Sequence, residues 1–300
     1  MARPNKLIVI LGKLLVSSGL LYFVISKTGA DKVISTLKGI NPLAFFLAVF
    51  IYIFAIYLSS VRWRLLLHEE FELRKLFSLY FIGSFFNHLL PGIIGGDAVK
   101  AYYLYKDTGK GAPAIASVFM DRYIGFTALM CVGLTAFPFG LRYFRGSYIE
   151  WILPLMVFLF ILGSFVIFGL KVGRRIRLLS GFYDYFSLYK GKKTVILKTF
   201  FLSLIVQVVI IFAVYVLSLG LKVDVPLLPL FIFVPIIATI SSVPISISGL
   251  GVREASFVLL FGSLGIKPAQ ATAVSFAWFL SVATGSLPGL IEYLRYKKGM

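Results

Sequence analysis

The chain has 300 residues, of which 59% are hydrophobic, and its mean hydropathy is +0.95. These values exclude a soluble globular domain and indicate an all-α protein whose helices cross a membrane several times. The formal net charge is +18, but the basic residues lie in short loops between apolar runs, which is typical of the positive-inside rule and excludes nucleic acid as the expected partner.

Six apolar segments have the roughly 20 residues that a membrane-spanning helix needs. They lie at about 7–25, 41–61, 112–139, 149–170, 199–219 and 268–294. The first contains Lys13 and lacks a convincing cleavage site, so we interpret it as a retained helix and not as a signal peptide. Segment 27–40 alternates charged and apolar residues, which predicts an external helix on the membrane surface.

Charged loops predict the orientation of these spans. The loop 171–198 is strongly basic and contains Asp184 as its acidic residue, so we expect it in the cytoplasm. The segments 140–148 and 220–226 are then outside. Both termini are cytoplasmic in this topology, and Arg62 and Arg64 are interpreted as boundary charges at the cytoplasmic end of the second span. The expected location is the plasma membrane.

Two apolar segments cannot be simple spans, because each begins and ends on the same side in this topology. Residues 77–105 and 227–265 are therefore predicted to be re-entrant hairpins of two half-helices. The predicted fold is a polytopic membrane helical bundle, an inverted repeat of three spans plus one broken re-entrant hairpin per half. We expect one integral membrane domain over 1–300, with repeat 1 at about 1–140 and repeat 2 at about 147–300.

Each predicted hairpin carries the same glycine-centred motif, Pro-x4-Gly-x2-Val-[Lys/Arg]. The motif begins at Pro91 in the first hairpin and at Pro244 in the second. A helix is expected to restart at about Asp97 and at about Val252, and its first amides carry the positive end of the helix dipole. Two such ends near mid-membrane predict a site for an anion such as a lipid phosphate. The alternative is that proline and glycine only kink two closely packed helices.

Three sequence motifs carry a resemblance to a known family. The run Asn-x-Leu-Leu-Pro-Gly-x-x-Gly-Gly-Asp-x-x-Lys at 87–100, Asp-Arg at 121–122 and Gly-x-Gly-Val-x-Glu at 249–254 occur in this order. The chain resembles the transmembrane domain of lysylphosphatidylglycerol synthases, which also occurs alone in flippase-like membrane proteins. The resemblance implies a lipid-transporting fold. No aminoacyl-transferase domain follows, so lysyl transfer is not implied, and Trp278-Phe279 stands where relatives often carry an arginine.

Six charged residues fall at or near membrane depth, where each unpaired charge costs about 2.5–3.5 kcal/mol on insertion scales. Asp97 could cap the restarting helix or pair with Lys100. Arg122 could hold a phosphate through both arms of its guanidinium, or it could pair with Asp97 or Glu254. Arg253 and Glu254 are adjacent on a helix, so we expect each to find a different partner.

Together these arguments predict a substrate site built from both motifs. Its residues are Asn87, Pro91, Gly95, Gly96, Asp97, Lys100, Asp121, Arg122, Gly249, Gly251, Arg253 and Glu254. His88 beside this site is interpreted as a packing residue that forms hydrogen bonds, and a proton-coupled role stays open.

The preferred function is a transporter that moves an anionic lipid between leaflets, either a phospholipid or a polyprenyl-phosphate-linked sugar. Rocking of the two inverted halves would expose the lipid to each leaflet. The alternatives are a membrane-embedded lipid transferase and a subunit that presents lipid to a glycosyltransferase or other lipid-modifying enzyme. We expect a transporter without enzymatic activity or cofactor. A metal is not expected either, because the lone Cys131 and two histidines offer no ligand cluster.

Overall fold

A computed structural model of the protein describes residues 6–67, 70–89, 95–170, 183, 189 and 191–298. Within these ranges the chain is helical and contains no β-strand, as the sequence predicts. We number the helices in chain order: α1 Lys6–Thr28, α2 Ala30–Lys38, α3 Pro42–Leu66, α4 Leu73–Leu89, α5 Gly95–Thr108, α6 Gly111–Gly140, α7 Ile149–Ser164, α8 Lys193–Gly220, α9 Leu227–Ser242, α10 Val252–Gly262, α11 Pro268–Ser286 and α12 Pro288–Lys298.

Six helical segments of the described chain are long and apolar enough to cross a membrane. They are Leu11–Thr28, Pro42–Leu66, Gly111–Tyr143, Ile149–Gly169, Lys193–Gly220 and Pro268–Tyr296. These segments confirm the six predicted spans. The predicted helix between the first two spans is also present as α2, which packs on α1 and α11. The predicted cytoplasmic loop 171–198 lies mostly outside the described residues, and the orientation of the termini stays a prediction.

Both predicted hairpins are pairs of short helices with an interruption at the glycine motif. Helix α4 ends at Leu89 and α5 begins at Gly95, while α9 ends at Ser242 and α10 begins at Val252. Pro91 and the rest of 90–94 lie outside the described residues. The order of spans and hairpins is therefore the same in both parts of the chain. The inversion of one part relative to the other stays a prediction.

The last predicted span, 268–294, is divided into α11 and α12. The break falls at Leu287, directly before Pro288. Proline lacks an amide hydrogen, and its ring clashes with the preceding turn, so it begins a helix more readily than it continues one.

The two predicted repeats do not pack as separate bodies. Helix α3 has its most extensive contact with α8, α6 packs on α9, and α4 packs on α12. The largest apolar cluster likewise joins Leu129 and Met130 of the first part to Ile211 and Phe233 of the second. This interleaving places charged residues of α3, α5 and α6 against the second part of the chain, and the assignment of one domain to 1–300 stays a prediction.

Candidate functional site

A buried ionic cluster lies among α3, α4, α5 and α6. The Arg62 Nε atom donates to Asp121 Oδ1 at 2.7 Å, and the two side chains are 6% and 0% exposed. The Tyr80 hydroxyl donates to the other Asp121 oxygen. Arg62 also donates to the Ser203 hydroxyl of α8 at 3.1 Å. A buried carboxylate needs such partners, because an unpaired charge in the membrane interior is strongly unfavourable.

Lys100 joins this cluster to the restarted helix α5. Its Nζ atom lies 3.7 Å from Asp121 Oδ2 and 3.6 Å from Asp97 Oδ1. The ammonium group also lies over the Tyr80 ring, 3.7 Å from its centroid, where cation–π attraction adds to the ion pairs. The Lys100 side chain is 2% exposed, so its ammonium group can attract an anion in the site but cannot contact it directly.

Arg122 forms the accessible edge of the same cluster. Its Nε and Nη2 atoms donate to the two Asp97 oxygens at 2.6 and 3.2 Å, which is the two-pronged geometry of a strong charge-assisted pair. The Arg122 side chain is nevertheless 50% exposed, and that of Asp97 is 13% exposed. Of the sequence alternatives for Arg122, a pair with Asp97 is therefore present, and part of the guanidinium remains open to a ligand.

These side chains line a cavity of ≈ 340 Å³, which we call the main cavity. Helices α3, α4, α5 and α6 supply most of its wall, and α8 and α9 close it from the second part of the chain. Additional polar lining comes from Tyr52, Ser59, Ser84, Asn87, His88, Gln207 and Ser242. Among the described lining residues, Arg62, Lys100 and Arg122 face two carboxylates, so one positive charge is in excess.

The first glycine motif is held by Asn87. The Asn87 side chain accepts a hydrogen bond from the Gly96 amide at 2.9 Å, so the amide that the sequence assigns to an anion already has a protein acceptor. Gly96 is buried between α4 and α5, and Gly95 is the first residue of α5. Asp97 does not cap the start of α5 as predicted. The helix begins earlier, at Gly95, its Gly96 amide donates to Asn87, and the Asp97 carboxylate pairs with Arg122. Ligand contact by Gly95 and Gly96 stays a prediction.

We expect Gly96→Ala to lower the melting temperature of the purified protein. A Cβ atom at this position would overlap the backbone carbonyl of Gly83, so α4 and α5 would have to separate. Overpacking of this kind typically costs about 1–3 kcal/mol. The matched control is Gly163→Ala in α7, where a Cβ meets nothing within 4 Å. Equal melting temperatures for both variants would contradict the close helix contact.

The second glycine motif forms a tight turn against α1. Gly249 has φ 75° and Gly251 has φ 81°, values that side chains with a Cβ rarely adopt. The Ile247 amide donates to the Ser17 hydroxyl of α1 at 2.8 Å. The Gly251 amide donates to Glu254 Oε2 at 2.7 Å, so this helix start also has its own acceptor. The two predicted helix-end anion sites are thus occupied by Asn87 and Glu254 in this structure.

Arg253 and Glu254 contact each other, which corrects the expectation that they find different partners. Arg253 Nη2 lies 2.5 Å from Glu254 Oε1, and the Ser275 hydroxyl donates to the same oxygen at 3.0 Å. Adjacent side chains on a helix usually point in different directions, but Glu254 lies in the first turn of α10, where its side chain can bend back. Its carboxylate folds back toward Gly251 and comes within reach of the long Arg253 side chain.

The two motifs meet through one hydrogen bond. The Ser248 hydroxyl donates to the backbone carbonyl of Asn87 at 3.0 Å. Asn87 therefore holds both interrupted regions, one through its side chain and one through its backbone. The predicted proximity of the two motifs is present, although the charged residues divide into the main cavity and the Arg253–Glu254 pair.

A smaller cavity of ≈ 160 Å³ lies beside that pair, and we call it the side cavity. It is lined by His88, Ser241, Ser248, Arg253, Trp278, Phe279 and Val282. His88 also lines the main cavity, and Ser241 in the side cavity is next to Ser242 in the main one. The His88 ring bonds to the Ser84 carbonyl at 2.9 Å and lies 5.7 Å from the Phe279 ring, so it packs in the wall between the cavities.

Sequence reasoning missed Arg62 as a site residue. It was interpreted as a cytoplasmic boundary charge, but it is buried one turn before the end of α3. One signal could have found it: the motif residue Asp121 lies at membrane depth, and a carboxylate there needs a cation as its partner. Tyr80 and Ser203 carried no comparable signal, because tyrosine and serine are common throughout apolar helices.

The fold and the charged cavities define a multi-pass membrane protein with a polar site between interrupted helices. The model of the family described as "Lysylphosphatidylglycerol synthase TM region" matches residues 10–289. The chain belongs to this family. It is also similar to a "UPF0104 membrane protein" of Methanothermobacter thermautotrophicus, with 25% identity over an alignment of 339 positions that covers 99% of this chain and 96% of the relative.

Proposed function

We propose that the protein moves an anionic lipid between the leaflets of its membrane, with the lipid phosphate bound in the main cavity. The observation that carries this proposal is the excess positive charge of that cavity. Three cations face two carboxylates in a bundle whose outer surface is apolar. An uncompensated charge at membrane depth is unfavourable, so an anionic ligand stabilises the cavity by neutralising it.

Arg122 is the residue that contacts the phosphate in this proposal. Its side chain is half exposed, whereas Arg62 and Lys100 are buried. A guanidinium has five N–H donors, and Asp97 occupies those of Nε and Nη2. The remaining donors can bind phosphate oxygens, while Lys100 attracts the anion without direct contact. Arg253, which the sequence also places in the substrate site, lines the side cavity and is neutralised by Glu254.

The proposal is tested with purified protein in proteoliposomes that contain a fluorescent anionic phospholipid. The wild type should accelerate movement of this lipid between leaflets and leave its chemical composition unchanged. A chemically altered lipid would indicate the alternative transferase. If the lipid is neither moved nor altered, the lipid-presenting subunit is favoured.

We further expect Ala238→Phe to reduce this movement by about tenfold or more, because the phenyl group enters the main cavity without removing a charge. A tenfold loss corresponds to about 1.4 kcal/mol, which a blocked contact readily supplies. The matched control is Ala112→Phe at the exposed start of α6, which should transport like the wild type. Equal transport by both variants would place the lipid path outside the main cavity.

A further inference from the structure

The side cavity adjoins the main cavity but has a different chemical character. His88 forms part of both walls, and the neighbouring residues Ser241 and Ser242 line one cavity each. The His88 side chain therefore lies between the main cavity, where Arg122 is located, and a second compartment. At a water's share of about 30 Å³, the ≈ 160 Å³ of the side cavity corresponds to about five waters, which is room for a small headgroup.

Among the described residues that line the side cavity, the permanently charged one is Arg253, and Glu254 behind it neutralises that charge. Arg253 directs Nε and Nη2 to Glu254, whose other oxygen accepts the Gly251 amide. Glu254 is fully buried, so a second charged group entering the cavity finds no free counter-ion among the described lining residues. A charged headgroup would lose its hydration without an ion pair in return, which is unfavourable in a low dielectric.

The remaining lining suits a neutral group that carries hydroxyls. The Ser241 hydroxyl oxygen is buried and has no hydrogen-bond partner within the described chain. Ser248 contributes a second hydroxyl to the same wall. Trp278 and Phe279 supply aromatic surface, which packs well against the carbon skeleton of a small polyol. A buried polar atom without a partner is costly, so a ligand hydroxyl at Ser241 would remove that cost.

We propose that the side cavity binds the headgroup of the transported lipid, and that this headgroup is neutral and hydroxylated. The substrate class is then a lipid phosphodiester with one negative charge, esterified to a small polyol or sugar. Its phosphate neutralises the single excess charge of the main cavity, and its headgroup passes His88 into the side cavity. This proposal rests on the proposed function, and it adds the headgroup to it.

Three lipid probes separate phosphate recognition from headgroup recognition. Phosphatidylglycerol and phosphatidylmethanol both carry one negative charge, but the first has a hydroxylated headgroup and the second has a methyl group. Lysylphosphatidylglycerol adds amines to the glycerol headgroup. In wild-type proteoliposomes we expect phosphatidylglycerol to move about tenfold faster than phosphatidylmethanol, since one buried hydrogen bond contributes about 1 kcal/mol and the headgroup forms more than one. Lysylphosphatidylglycerol should move slowest.

Two variants fill the side cavity from different helices, Ser241→Leu from α9 and Val282→Phe from α11. Each should reduce phosphatidylglycerol movement to the rate of phosphatidylmethanol while leaving the phosphatidylmethanol rate unchanged. If one variant fails to fold, the other still gives this comparison. The matched control is Ser26→Leu on the exposed face of α1, which should keep the tenfold preference.

The outcomes distinguish the two proposals. If wild-type protein moves none of the anionic probes, the proposed function is wrong. If it moves phosphatidylglycerol and phosphatidylmethanol equally, or if the filled variants retain the preference, transport stands and headgroup binding in the side cavity is overturned. Faster movement of lysylphosphatidylglycerol than of phosphatidylglycerol would also overturn it, because the cavity would then accept a charged headgroup.

Discussion

Arg122→Gln is expected to weaken binding and transport of an anionic lipid by about 10- to 100-fold, while the protein still folds. Hydrogen bonds to a charged group contribute about 1.5–3 kcal/mol, and each 1.4 kcal/mol is a factor of ten. The fold should survive because Lys100 remains 3.6 Å from Asp97 after the guanidinium is removed. The measurement is lipid movement in proteoliposomes, together with the melting temperature of the purified variant.

The double variant Arg122→Gln with Asp97→Asn separates contact from net charge. It restores the single excess positive charge of the main cavity but not the guanidinium. Transport should therefore stay low if Arg122 binds the phosphate directly. Arg122→Lys should also be a poor replacement, since an ammonium group lacks the planar fork. Full recovery in the double variant would mean that Arg122 serves only to neutralise Asp97. Arg295→Gln, which removes an exposed pair with Glu292, is the matched control.

Arg62→Met is expected to cause the largest loss of stability, about 3–5 kcal/mol. Removing one member of a buried pair leaves the other charge without compensation. Asp121 is 0% exposed and would keep only the distant Lys100 ammonium at 3.7 Å and the Tyr80 hydroxyl. Thermal unfolding in detergent measures this loss. Arg145→Met, at an exposed position before α7, is the matched control and should melt like the wild type.

A double-mutant cycle shows whether the loss comes from the stranded carboxylate. Arg62→Met combined with Asp121→Leu removes both charges, so it should melt at a higher temperature than Arg62→Met alone. Coupling between groups in contact usually amounts to about 0.5–3 kcal/mol. If the double variant is less stable than the single one by the full effect of Asp121→Leu, the two residues act independently and the interpretation is wrong.

The helical framework could be predicted because membrane solvation acts on long stretches of sequence. Every spanning helix must bury about 20 residues in hydrocarbon, and the glycine motifs at 91–96 and 244–249 interrupt runs that would otherwise continue. The restart predicted at about Val252 is present at that residue. The restart at Gly95 came two residues earlier than expected, since Asn87 satisfies the Gly96 amide from another helix.

The pairing of charges could not be predicted, because it depends on distances between helices. Arg62 and Asp121 are 59 positions apart in sequence, and only the packing of α3 on α6 brings them together. A charge near the end of an apolar run looks the same whether it faces water or a buried carboxylate. The Arg253–Glu254 contact likewise depends on how the first turn of α10 closes, which the spacing of the residues does not determine.

The interleaved packing of the helices restricts the motions that the proposed lipid transport could use. Rotation of one half of the chain as a rigid body would separate α3 from α8 and divide the largest apolar cluster. The predicted rocking of two halves is therefore an expensive motion for this molecule. Helix α10 is itself anchored in that cluster through Phe257, Leu260 and Phe261. Asn87 ties the start of α5, through the Gly96 amide, to the turn before α10, through the Ser248 hydroxyl, so a displacement of one interrupted region would be coupled to the other.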